Sequence, residues 1–277
     1  MVDQQNAVIC SPRMSPFAAS AHLANKSIVA IAAALAAFAA GGAAAQSPPR
    51  EVPPVDLALV LAVDASGSIS DDRWELERRG YADAFRDPEV VRVIRSGPAG
   101  AIAVTLVEWS GEFQQSQIVG WALINDVASA SRFADSLAGM PHLFRSWTSI
   151  SAGMAFSSEL LATAPFDALR RVIDVSGDGP DSTSEVIIQG TPADVDRLRE
   201  TRDGLVASGL TINGLPIFGD PRIRAIDLYY QTNVIGGPGS FEVVAEDFAV
   251  FAMAVRRKLL LEIAGTDAAT RPVEFAP

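Results

Sequence analysis

Five oxygen-bearing side chains, Asp64, Ser66, Ser68, Thr148 and Asp178, have the types and the placing to hold a metal ion. Asp64-Ala65-Ser66-Gly67-Ser68 follows directly on the apolar run 55–63, which reads as a buried strand delivering one acid and two hydroxyls to a loop. A hard cation suits such a set: Mg²⁺ prefers octahedral oxygen coordination and keeps several waters, so it wants few carboxylates. The pentapeptide alone also fits a strand-to-helix turn whose Ser and Asp side chains cap backbone donors. Two distant segments weigh toward the ion. Residues 171–176 form a second apolar run that enters Gly177-Asp178-Gly179-Pro180, where glycines let the chain turn tightly around an outward carboxylate. Trp147-Thr148-Ser149 leads into a helical stretch over 151–162, with Ile150, Met154, Leu160 and Leu161 on one face. Loops at the carboxyl ends of a parallel sheet converge on one crevice, and there the five side chains could meet.

The elements that must position them alternate along the chain. Strand-like runs at 55–63, 102–109, 117–122, 171–176 and 210–217, with a short sixth near 241–244, are separated by helical stretches, the signature of α/β architecture. Ser70-Asp71-Asp72 offers an N-cap, and Trp74, Leu76, Tyr81 and Phe85 follow at roughly helical spacing. Residues 194–207 predict a charged amphipathic helix. Another spans 246–263, with Phe248, Phe251, Val255 and Leu259 inward and Arg256-Arg257-Lys258 placed to complement the helix dipole. No repeat and no internal linker divides the chain.

Other chemistries find fewer residues. His142 is one of two histidines and lies in Pro141-His142-Leu143 with no G-x-S-x-G partner, so it reads as a solvated loop residue and not as part of a triad. A histidine-rich zinc site is excluded. No phosphate-binding Gly-rich loop is present, and Gly236-Gly237-Pro238-Gly239 reads as a strand-entry turn. Aspartyl phosphatases place a second acid two residues after the first, where this chain has Ser66. Glu108, at the end of the second strand, is the nearest candidate base for a metal-bound water, and a structural acid is the reading preferred for it.

The amino terminus predicts export. Arg13 and Lys26 precede an Ala-rich apolar run, 28–40, and then Gly41-Gly42-Ala43-Ala44-Ala45, the form of a secretory signal over residues 1–45 with small residues at its cleavage site. Met14 is an alternative start, and an uncleaved anchor is the alternative fate, since 28–45 approaches spanning length. The only cysteine, Cys10, falls within this leader, so the remainder has no thiol for a disulfide, a nucleophile or a lipid. Residues 46–54 carry four prolines and read as an extended tether. The full chain has a formal net charge of −11, and loss of the leader, with Arg13, Lys26 and Asp3, makes it more negative. Such a balance disfavours nucleic acid and anionic lipid.

Matched residue by residue, the chain resembles the von Willebrand factor type A (vWA) domain, whose metal-ion-dependent adhesion site uses D-x-S-x-S, a threonine from a second loop and an aspartate from a third. Asp64, Ser66 and Ser68 fill the first element, Thr148 the second and Asp178 the third. Val104-Thr105-Leu106-Val107-Glu108-Trp109-Ser110 is similar to the family's second strand. Glu108-Trp109-Ser110, the 174–180 segment and Val234-Ile235-Gly236-Gly237-Pro238-Gly239-Ser240-Phe241 resemble a bacterial group of secreted vWA-like proteins of unknown function. Trp147 before Thr148, where glycine is frequent, and Gly177 before Asp178, where threonine is common, depart from the general pattern. Asp181 adds a nearby carboxylate, read as a solvated turn acid. The resemblance implies a doubly wound, mostly parallel sheet of about six strands with helices on both faces, spanning 55–277. It also implies a periplasmic or secreted, non-enzymatic binding module with Mg²⁺, or Mn²⁺ or Ca²⁺, held by Ser66, Ser68 and Thr148, with Asp64 and Asp178 close. A protein partner presenting an Asp or Glu would complete the coordination. A metal-assisted hydrolase and an ion-free interaction domain are the alternatives.

Overall fold

The computed structural model describes residues 52–182, 190–219, 223 and 225–265; the leader at 1–45 and residues 46–51 of the proline-rich stretch lie outside them. Strand β2 (Leu57–Asp64) is buried at all eight positions and forms the middle of a five-stranded sheet. Around it lie β3 (Ile102–Trp109), β4 (Gln115–Ile124), β6 (Arg171–Gly177) and β7 (Thr211–Pro216), in the order β4-β3-β2-β6-β7. Only β4 runs antiparallel, at an edge. A short parallel pair, β1 (Pro54–Val55) with β5 (Asp167–Ala168), lies outside the main sheet.

The unbroken apolar run of β2 follows from having both faces covered. Leu57, Leu59, Leu61 and Val63 face one core with helices α1 (Asp71–Arg86), α2 (Pro88–Arg95), α3 (Val127–Ala138) and α7 (Phe251–Ala264). Ala58, Val60 and Ala62 face the other, with α4 (Ile150–Ala162), α5 (Pro192–Ala207) and α6 (Ile226–Tyr229), which continues as a π-helical turn over Tyr230–Val234. Small residues on the second face let α4 come close. A side chain on Gly153 would begin 2.8 Å from the indole of Trp109, so a glycine is what lets the helix that follows Thr148 seat on β3.

The predicted elements form, with informative differences. The sixth strand near 241–244 is reduced to isolated parallel bridges, Gly214 with Glu242 and Ile217 with Ala245; the left-handed Gly237 and Gly239 and an Asn213 side chain that takes the Phe241 N–H keep it irregular. The last helix begins at Phe251, because Asp247 caps a 3₁₀ turn over Phe248–Val250 ahead of it. Lys258, expected to serve the helix dipole, is instead buried, with Nζ 2.6 Å from Asp174 Oδ1 and 2.5 Å from Glu262 Oε1. On α1 the inward position is Glu77, while Leu76 is 42% exposed. Among the described residues no helix is long and apolar enough to cross a membrane.

Candidate metal centre

The carboxyl end of β2 stops at Asp64, beside the ends of β3 and β6. Asp64 is fully buried. Its Oδ1 accepts from the Ser66 N–H at 2.7 Å, which folds the loop back over the strand end, while Oδ2 has no hydrogen-bond partner. Burial and the charge of Asp178 push the Asp64 carboxyl up to about 8. Burial therefore favours the neutral acid, and a cation beside it would favour the carboxylate.

Ser66 and Ser68 carry their Oγ atoms 3.1 Å apart, and Ser68 Oγ donates to Asp178 Oδ1 at 2.6 Å. That 3.1 Å is a hydrogen bond between the two hydroxyls, and it sets both oxygens side by side at the mouth of the loop. Because the Ser68 proton is spent on Asp178, Ser66 Oγ donates in the serine pair and Ser68 Oγ keeps one lone pair for an ion. The glycine before Asp178 also has a reason: a side chain on Gly177 would begin 2.9 Å from Asp64 Oδ2 and 2.8 Å from Tyr230 Oη. Tyr230 is buried, its hydroxyl finds no partner, and burial together with Asp64 and Asp178 drives its pKa well up.

Thr148 opens the neighbouring loop. Its carbonyl accepts from the Ser182 N–H at 2.7 Å, and its Oγ1 lies 3.9 Å from where a side chain on Gly179 would begin, which places the hydroxyl beside the 177–179 turn. The same loop is tied to the first by Gly67 N–H donating to Ser146 O at 2.7 Å, and to the end of β3 by Ser110 Oγ, which accepts from Ser146 N–H and donates to the Trp147 carbonyl. Trp147 itself is 45% exposed. Three loops from distant parts of the chain thus meet over one strand end, as topology requires of a parallel sheet. Among the described residues no group of three or more His, Cys, Asp or Glu is placed to hold a metal ion; what meets here is a set of hydroxyls with two acids.

Several residues behave otherwise than their sequence implies. Asp181 is no solvated turn acid. It is buried and accepts from Ser151 Oγ at 3.0 Å and Arg197 Nη2 at 3.3 Å, anchoring the start of α4. Glu108 is a structural acid: its Oε1 accepts from the Leu143 and Phe144 N–H groups at 2.6 and 2.7 Å, holding the loop that leads to Thr148. His142 is stacked on Trp74 at 4.7 Å between ring centres, with Nδ1 3.2 Å from Asp71 Oδ1, and is not a solvated loop residue.

Two residues of α1 went unread in the sequence. Arg73 Nη1 lies 3.1 Å from Asp178 Oδ2. One turn on, Glu77 is buried with both carboxylate oxygens unpartnered, and burial with the charges of Asp64 and Asp178 raises its pKa well above the usual range. The only trace of either in the sequence is their four-residue spacing, which is equally that of an exposed helix face.

A family model described as "Protein of unknown function (DUF1194)" matches residues 54–267. No curated protein sequence matches the chain. Among solved structures, it is similar to the PilB minor pilin from Streptococcus sanguinis, with a TM-score of 0.57 at 12% identity over 78% of this chain and 64% of that one. The vWF domain of the type V pili tip protein Mfa5 from Porphyromonas gingivalis gives a TM-score of 0.51 at 10% identity over 80% and 99%. Proximal thread matrix protein 1 from the mussel byssus gives 0.51 at 14% identity over 76% of this chain, which spans 47% of that protein's length. At such identities the likeness is one of fold, and the fold is that of a vWA domain.

Proposed function

The chain belongs to the DUF1194 family, and we propose that it is an exported, non-enzymatic vWA-like module that holds a divalent cation and, through it, a protein partner presenting an Asp or Glu. Ser66, Ser68 and Thr148 would offer oxygens directly, with Asp64 and Asp178 behind them, a set poor in carboxylates that favours Mg²⁺, with Mn²⁺ or Ca²⁺ as the alternatives. The observation that carries this reading is the convergence of two serine hydroxyls, 3.1 Å apart, with a buried Asp64 Oδ2 that has no hydrogen-bond partner. A buried carboxylate oxygen is costly unless a partner or a proton meets it. The bound ion would supply an electrophilic centre for the partner's carboxylate.

The non-enzymatic half of the proposal is supported by Glu108. Its Oε1 is engaged by two backbone donors of the 143–144 turn, a structural use of the acid that leaves Oε2 buried without a hydrogen-bond partner. The names of the structural neighbours, two of them pilus proteins and one a matrix protein, fit a role outside the cytoplasm, as does the leader at 1–45. In this proposal the leader is removed, the proline-rich residues ahead of Pro53 tether the domain, and the domain that begins with β1 does the binding; Pro53 and Pro54, expected in the tether, instead pair with β5. Affinity capture from the native envelope, with Mg²⁺ and then with chelator, tests it. Loss of the captured protein on chelation is the expected result; turnover of phosphoesters or peptides by the purified protein would favour the hydrolase.

A further inference from the structure

The cation already inside this centre is Arg73. Its Nη1 donates to Asp178 Oδ2 at 3.1 Å and to the Ser68 carbonyl at 3.0 Å, its Nη2 donates to the Gly219 carbonyl at 2.7 Å, and its guanidinium lies 4.6 Å from the ring centre of Phe248. Room for the pairing comes from Gly219, where a side chain would begin 2.8 Å from Asp178 Oδ2 and 3.2 Å from Arg73 Nη1. Meanwhile Asp178 Oδ1 is engaged by Ser68 Oγ. Both oxygens of the second acid are therefore spoken for by the protein itself. Arg73 also stands in the first turn of α1, where a positive charge opposes the helix dipole, so local helix stability does not explain it.

We infer that Arg73 is a resident counter-cation that neutralises Asp178 in place and weakens the hold of the centre on a divalent ion, leaving that ion under-neutralised toward an incoming carboxylate. The inference rests on the ion site proposed above. A guanidinium fixed on Asp178 Oδ2 through Nη1, and held there by the Ser68 and Gly219 carbonyls, offsets about one negative charge in the ion's surroundings and adds repulsion at short range, both of which lower affinity for a dication. They also keep the bound ion more electrophilic than two free carboxylates would.

Calorimetric titration with MgCl₂ alone tests the assignment. Arg73→Gln should tighten Mg²⁺ binding about tenfold or more, because charge is lost, whereas Arg73→Lys, which keeps the charge without the fork, should stay within about threefold of the wild type. No tightening in Arg73→Gln, or equal tightening in Arg73→Lys, overturns it. The unaltered protein gives a measure that does not depend on variants folding: the Arg73 guanidinium resonances should persist at saturating Mg²⁺, and their collapse to those of a solvated arginine would show that ion and arginine exclude each other, against the inference. If the wild type binds no ion while Arg73→Gln does, the metal-dependent reading of the native protein fails and Arg73 stands as the cation that replaces it. If neither binds, both fail.

Discussion

Ser68 and Asp178, 110 positions apart, share a 2.6 Å hydrogen bond in which the serine hydroxyl donates to Oδ1. That bond joins the loop after β2 to the loop after β6 and fixes where the serine oxygen points its lone pairs. It also ties the geometry of the hydroxyl proposed to bind the ion to the charge state of an acid that follows another strand. The expectations that follow concern what this linkage does when an ion, a proton or a partner arrives.

Millimolar Mg²⁺ should raise the melting temperature of the purified domain. A ligand at about 100 times its Kd adds about 2.7 kcal/mol to the folded state, worth about 5–10 °C for a domain of this size. Asp64→Ala, or Ser66→Ala with Ser68→Ala, should remove the rise while circular dichroism stays that of the folded protein. A melting curve indifferent to Mg²⁺, Mn²⁺ and Ca²⁺ would show that the centre holds none of them.

Gly177→Ala should damage the centre from behind. The new methyl meets Asp64 Oδ2 and Tyr230 Oη inside 3 Å, and overpacking of this kind costs about 1–3 kcal/mol. Melting should drop several degrees, and the Mg²⁺-induced rise should shrink because Asp64 is displaced. Tyr230→Phe in the same background should recover part of the stability, since it removes one of the two clashing oxygens. Full retention of both the melting temperature and the Mg²⁺ response would mean that Asp64 is not held where the structure places it.

How much of this was legible without coordinates depended on whether position in the chain or position in space decides a residue's role. Asp64, Ser66, Ser68, Thr148 and Asp178 announced themselves because each sits just beyond a strand or just before a helix, and parallel topology alone sends such loops to one edge. Gly177 could be read as a turn, yet its reason, the two oxygens above it, is tertiary. Arg73 and Glu77 sit in the run Arg73-Trp74-Glu75-Leu76-Glu77-Arg78-Arg79, where alternate charges look like a wet helix surface, and only the tertiary fold, which brings Arg73 to Asp178 and buries Glu77, turns that face inward. Lys258 hid in the same way within Arg256-Arg257-Lys258. Asp181 was misread because a turn acid near Gly and Pro is usually solvated, whereas here α4 needs an acceptor at its start and the loop returns to supply it.

The metal-free domain should lose stability as pH rises. The unfolded reference value for Glu77 is 4.5, and burial holds the folded one well above it; Asp64 is lifted from 3.8 to about 8 and Asp174, by burial and the Glu262 charge, to about 7. From about pH 4 upward the unfolded chain sheds protons that the fold retains, so each group's contribution is whole below its unfolded pKa and is lost as pH climbs to the folded one. Melting in chelator should therefore fall between pH 5 and 8, and Glu77→Gln should flatten part of that slope, leaving a higher melting temperature than the wild type at pH 8. A slope unchanged by Glu77→Gln would show that the glutamate is ionised in the folded state.

Recognition of the partner should depend on the ion at short range and be opposed by charge at long range. With a net charge of −11, the chain repels an acidic partner during approach, while the last few ångströms are governed by coordination. Added salt screens the repulsion over about a Debye length, so association should accelerate from low to physiological ionic strength, the reverse of the behaviour of oppositely charged pairs. Thr148→Ala should weaken capture with little change in melting, because the threonine is half-buried at the loop's surface and its structural hydrogen bond to Ser182 runs through the backbone carbonyl. Asp181→Asn is the complementary control: its buried carboxylate holds α4 and Arg197, so the change should lower melting by several degrees, as expected for about 1–3 kcal/mol, and leave capture by the folded fraction intact. Surface resonance across a salt series, with Mg²⁺ and then with chelator, measures each arm. Capture that survives chelation and Thr148→Ala together would place recognition on another face of the domain, and the ion would then have no part in it.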